Sequence, residues 1–60
     1  MKIVDRTSGT VVCDIMTNHS MSIDDALSLM RISVTDDGQL HDDDTDTLLD
    51  AWYDDLDMIY

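Results

Sequence analysis

Asp42, Asp44 and Asp46 stand at alternate positions in the stretch HDDDTDT. Three carboxylates in a D-x-D-x-D array open an EF-hand loop, because calcium takes hard oxygen donors at that spacing. The rest of the loop does not follow. Its sixth position, where glycine makes the sharp turn, is Thr47, and its twelfth, where a bidentate glutamate closes the shell, is Tyr53. The expectation is loose attraction of cations to the tract, with no metal site and no cofactor.

Other chemistries find fewer residues. His19, His41 and Cys13 show no paired ligand spacing for a transition metal. A nucleophile needs a base and an orienting third group, and no second histidine is placed to converge on one. His19 and Ser20 read as ordinary turn or cap residues, and no glycine-rich phosphate loop is present. A chain of 60 residues buries only about 60% of the surface its unfolded form exposes. It has little room for a pocket with its own supporting shell, so an enzyme is not expected. The single cysteine excludes an internal disulfide, and with no signal peptide after Met1 the reading is cytoplasmic. No apolar run approaches the roughly 18 residues of a membrane span.

Charge is the outlier. All fourteen acids are aspartate, and against three bases they give a net charge of −11. Residues 1–31 hold four aspartates and all three bases, whereas residues 32–60 hold ten aspartates and no base. Such asymmetry between halves is an interaction signal. Phosphates and anionic membrane surfaces repel a chain of this sign, so direct nucleic-acid or membrane binding is not expected. A basic protein is the expected partner. Aspartate holds its carboxylate close to the backbone, which suits fixed acceptors better than a merely soluble surface. Drift in composition explains the same bias without function.

The elements that would position these acids form a single small α+β domain, with a core of hairpin, helix and strand over 1–35 and an acidic C-terminal segment over 36–60. Ile3 and Val4 lie in a first strand, Thr7-Ser8-Gly9 forms a turn, and Thr10–Met16 returns with Val11, Cys13 and Ile15 on one face. Ser22 is a good helix N-cap, with Asp24 and Asp25 where the helix dipole favours them. Ile23, Ala26, Leu27 and Met30 make one apolar helix stripe. Ile32–Thr35 reads as a third strand, Asp36-Asp37-Gly38 as a turn, and Gln39–His41 as a short fourth strand. The acidic tract Asp42–Asp46 reads as a loop.

The last third supports two periods. Leu49, Trp52, Leu56 and Ile59 are spaced as a helical stripe, and Thr47 with Asp50 could cap it. From Asp55 a period of two also fits, with Leu56, Met58 and Tyr60 on one side. The expectation is a helix over about Thr45–Asp54 followed by an extended end. In that helix Asp46, Asp50 and Asp54 make a row spaced about 6 Å apart, near the spacing of phosphates along a strand. Asp54, Asp55 and Asp57 oppose the helix dipole and have no structural explanation. Trp52 falls on the core stripe. Tyr53 falls off it and is the better contact residue, since aromatics anchor interfaces and arginine stacks on them. The candidate partner-binding residues are therefore Asp36, Asp37, Asp42, Asp43, Asp44, Asp46, Asp50, Trp52, Tyr53, Asp54, Asp55 and Asp57.

In length, acidity and its DDDTDTLLDAWYDDLDM region, the chain resembles small acidic DNA-mimic proteins of phages and other mobile elements. Anti-CRISPR inhibitors of Cas9-type effectors are a prominent group among these. TNHSMSIDDAL is similar to short proteins of mobile elements. DNA mimics share charge rather than sequence, so no site residue carries over. The resemblance implies an inhibitor in the host bacterial cytoplasm that occupies the PAM-reading site or basic channel of a CRISPR effector. An accessory or antitoxin-like protein that neutralises another basic protein partner, and a small calcium-binding module, are the alternatives. Thermal melts separate the last from the others: micromolar calcium should leave the Tm where magnesium leaves it, whereas a rise specific to calcium would establish a metal site.

Overall fold

The computed structural model describes residues 1–16 and 21–59. His19, Ser20 and Tyr60, which the sequence reading placed in a loop and at the strand end, lie outside the described residues. The element order is β1 (Lys2–Asp5), β2 (Val11–Asp14), α1 (Ile23–Leu29), β3 (Ile32–Val34), β4 (Gln39–Asp42), β5 (Thr47–Trp52), a 3₁₀ turn (Tyr53–Asp55) and β6 (Leu56–Ile59). Two antiparallel three-stranded sheets result, ordered β2-β1-β6 and β3-β4-β5. With one helix, this is the small α+β domain expected.

The first half follows local chemistry. Gly9 takes φ +76° in the β1–β2 turn, a conformation without a Cβ penalty in glycine. A register shift between Ile3 and Val4 puts Cys13 in the core while Val11 is 54% exposed, so the expected Val11–Cys13–Ile15 face is broken. Ser22 Oγ accepts the Asp25 amide at 3.1 Å and caps α1. The helix stops at Leu29, burying Ala26 and Leu27 and leaving Met30 exposed. Arg31 follows in the left-handed region at φ 57°, which costs a non-glycine residue roughly 1–2 kcal/mol. Its carbonyl accepts the Asp43 amide at 3.0 Å, and its guanidinium bonds Asp44 Oδ1 at 3.2 Å. The helix end is thus tied to the turn between β4 and β5.

The helix expected over Thr45–Asp54 does not form. Its place is taken by the end of the acidic turn, by β5 and by the start of the 3₁₀ turn. Thr47 is therefore no helix cap, and the row Asp46–Asp50–Asp54 does not exist. Two costs of the helix vanish in a strand. Like charges four apart no longer stack, and a sheet has little net dipole for acids to oppose. Along β5, Ala51 points inward with Leu49 half-buried, while Leu48, Asp50 and Trp52 face solvent. The extended end is as expected: β6 pairs with β1, Leu56 opposite Asp5 and Ile59 opposite Lys2.

The core joins both sheets and the helix through Ile3, Cys13, Ala26, Leu27, Ile32, Leu40, Ala51 and Leu56. Leu40, Ala51 and Leu56 come from the acidic segment, which is an integral part of the packing.

One buried carboxylate connects the layers. Asp5 is 0% exposed. Its Oδ1 accepts the amides of Thr7 (2.8 Å) and Ser8 (2.9 Å), which closes the β1–β2 turn. Its Oδ2 accepts the Trp52 amide at 2.8 Å, across to the other sheet. The strand it reaches is irregular, since the β4–β5 register shifts between Gln39 and His41. Side chains satisfy the carbonyls there: Ser8 Oγ donates to Asp50 O at 2.7 Å and Gln39 Nε2 to Leu49 O at 2.9 Å. The amides of Ser8 and Trp52 hold the Asp5 carboxyl below its ordinary value, against the opposing effect of burial. A lowered folded value means that this stability is present above about pH 4 and is lost as pH falls through the folded value. Asp5→Ala and Asp5→Asn should each lower the Tm at pH 7, by at least about 5 °C for Asp5→Ala. Melts below pH 5 should show the wild-type advantage over Asp5→Asn shrinking; an advantage constant with pH would contradict the assignment.

Candidate functional site: two ends of the second sheet

The second sheet gathers most of the candidate acids at two turns. β4 runs between them, and its four residues separate the turns by roughly 10 Å at 3.4 Å per residue.

At one end is the turn from Asp42 to Thr47, and its acids are occupied by the protein itself. Asp42 Oδ1 accepts the amides of Asp44 (3.0 Å) and Thr45 (3.4 Å). Asp43 Oδ1 takes the Ser33 hydroxyl at 2.7 Å and His41 Nδ1 at 2.7 Å. Asp44 pairs with Arg31 at 3.2 Å. Asp46, in the left-handed region at φ 53°, lies 2.8 Å from His41 Nε2. The two hydrogen bonds from Ser33 and His41 lower the Asp43 carboxyl. Asp43 and Asp46 in turn raise the His41 imidazole. The carboxylates point at the turn amides, the Arg31 guanidinium and the His41 ring, not at a common centre. Among the described residues, no group of three or more potential ligands is arranged to hold a metal ion.

At the other end the register sets Gln39 opposite Trp52, and the Tyr53 amide donates to Gly38 O at 2.8 Å. The turn Asp36-Asp37-Gly38, with Gly38 at φ +88°, is thereby brought beside Trp52, Tyr53 and Asp54. Trp52, expected in the core, is 38% exposed. Tyr53, expected as the contact, is half-buried against the core, and its hydroxyl donates to Asp24 of α1 at 2.6 Å. That bond, with burial, raises the phenol above its usual value. The burial of the two aromatics is the reverse of that expected: β5 sets Trp52 on its solvent face with Leu48 and Asp50, and the 3₁₀ turn sets Tyr53 against the core.

Of the remaining candidates, Asp50 lies on the solvent face of β5 between these ends. Asp55 gives its carbonyl to the Arg6 amide at 2.9 Å. Asp57 is on β6 opposite Val4, in the other sheet. Among the described residues, ion pairs are confined to Arg31–Asp44 and the two His41 contacts. Asp36, Asp37, Asp50 and Asp54 have no cation within ion-pair distance among the described residues. Cys13 is buried, and desolvation pushes its thiol up, away from the reactive thiolate.

Sequence reasoning missed Asp5, Asp24, Arg31 and His41 as partners in this arrangement. Asp5 had a local signal, since Asp-x-Thr-Ser-Gly suits an Asx-type turn. Its bond to Trp52, 47 positions away, had none. Searches of protein-family models, of curated proteins and of solved structures return no match to the chain.

The two ends should respond oppositely to neutralisation. The triple variant Asp36→Asn, Asp37→Asn, Asp54→Asn relieves repulsion and should keep or raise the Tm. Asp43→Asn removes the acceptor shared by Ser33 and His41 and should lower it. Added salt should stabilise the wild type more than the triple variant, since exposed charges are screened beyond about 8 Å at physiological ionic strength. Equal Tm losses in both variants would mean that both ends are structural.

Proposed function

We propose that the chain is a cytoplasmic inhibitor that docks on the basic groove of a nucleic-acid-binding protein and excludes the nucleic acid. A CRISPR effector of the Cas9 type is the partner to which its size, acidity and resemblance point. The observation that carries the reading is the contrast between the two ends of the second sheet. Carboxylates at the Asp42–Asp46 turn are used internally. Those at the Trp52 end lie at the same end of the sheet as an exposed tryptophan, with no cation within ion-pair distance among the described residues.

Uncompensated carboxylates repel one another in the free protein, and a partner rich in arginine relieves that cost. Carboxylates bind guanidinium groups through paired, charge-assisted hydrogen bonds, and a tryptophan face binds the same groups by cation–π attraction. Effectors of this type read the PAM with arginines and hold nucleic acid in a positively charged channel. A polyanion in that channel displaces counterions as DNA does. The mimicry uses carboxylates on turns and a strand, with Asp36, Asp37, Asp50 and Asp54 around Trp52 as contacts. Asp55 and Asp57 extend the negative field.

Competition tests this reading. Titration into an effector–guide complex with labelled PAM-containing DNA should weaken DNA binding, and the effect should fade as salt rises. Trp52→Ala and the triple Asp36/Asp37/Asp54→Asn variant should lose inhibition, and Asp44→Asn should retain it. DNA binding unaffected at low salt would remove the Cas9-type effector as partner.

A further inference from the structure

His41 sits between two carboxylates, one at each ring nitrogen. Nδ1 is 2.7 Å from Asp43 Oδ1 and Nε2 is 2.8 Å from Asp46 Oδ1. Ionised carboxylates only accept hydrogen bonds, and a neutral imidazole carries one N–H. Both contacts are hydrogen bonds only when the ring holds two protons. We propose that the Asp42–Asp46 turn is a proton-controlled clasp, closed while His41 is an imidazolium and opened at the Asp46 side when the ring loses its proton.

The surroundings determine which contact yields. Asp43 is also held by the Ser33 hydroxyl, at 2.7 Å, and by its own amide to Arg31 O. Asp46 is on the loop side, its side chain is 93% exposed, and among the described residues no second side-chain partner holds it. A neutral ring therefore keeps its single N–H on Asp43, and Asp46 is released. Across β4, the ring's cross-strand neighbours are Ser33 on β3 and Leu48 on β5, neither of which carries charge. Of the remaining charges at this turn, Asp44 is paired with Arg31, and Asp42 is turned to the Asp44 and Thr45 amides. Losing the proton thus leaves one more net negative charge on the turn and a free carboxylate at Asp46.

The sign follows from the same geometry. Both carboxylates favour the charged ring, so the folded value lies above the ordinary one. The clasp contributes fully below about pH 6.5, and its contribution is lost as pH rises through the folded value.

Nitrogen-15 NMR of the imidazole side chain between pH 5 and 10 tests this, on a His19→Gln background that leaves one histidine signal. Both ring nitrogens of His41 should be protonated at pH 6.5, with a midpoint above the ordinary histidine value. Asp46→Asn and Asp43→Asn should each move the midpoint to lower pH, and Asp44→Asn, which alters charge without touching the ring, should move it less. The Asp46 carboxyl carbon should shift over the same interval as the ring. A midpoint at or below the ordinary value, or one that Asp44→Asn moves as far as Asp46→Asn, would overturn the proposal.

Discussion

The fold depends on placing one carboxylate where no water reaches it. Asp5 ends β1 and fills its two oxygens with three amides, two from its own turn and one from Trp52. Buried polar groups are tolerated only when their hydrogen bonds are made, and no buried side-chain donor or acceptor among the described residues lacks a partner. The Asp5 bond also spans the two sheets. An apolar residue at this position would leave the Trp52 amide without its acceptor at an irregular strand. A core of eight buried apolar residues among those described is small, and a polar tie makes the relative placement of its layers specific.

The aspartates consequently fall into physically different groups. Asp5 is structural by burial. Asp24 and Asp25 serve the start of α1, and Asp24 also accepts from Tyr53. Asp42, Asp43, Asp44 and Asp46 hold a turn. Asp14 and Asp57 stand on β2 and β6, the outer strands of the first sheet, where charge discourages pairing with another chain. Those around Trp52 remain without such a role, which concentrates the case for partner binding on a smaller surface than the tract of aspartates implies.

Legibility in the sequence tracked the range of the interactions. Ser22 as a cap, Gly9 and Gly38 as turn residues, and the strands near Ile3, Ile32 and Gln39 rest on neighbours within a few positions, and these were read from the chain. The segment from Thr45 to Asp54 was misread because Leu49, Trp52 and Leu56 satisfy a helical period by coincidence. Its strand is fixed by β4 and by Asp5, partners that periodicity does not encode. Trp52 and Tyr53 exchanged places for the same reason. The contacts of His41 and Arg31 were not legible because their acids become neighbours only when the β4–β5 turn closes and α1 ends against it.

Pairing of β1 with β6 has a consequence for how the chain assembles. Lys2 lies opposite Ile59, so the central strand of the first sheet acquires its second neighbour from the far end of the sequence. Contacts of such separation are slow to close, because the intervening chain must first give up its freedom. The β1–β2 hairpin, α1 and the β3–β4–β5 meander are local and can form early. Docking of β6 then completes the sheet. Until it does, the edge of β1 is an open template for another chain, a vulnerability that ends only when β6, the strand that carries Asp57, takes that place.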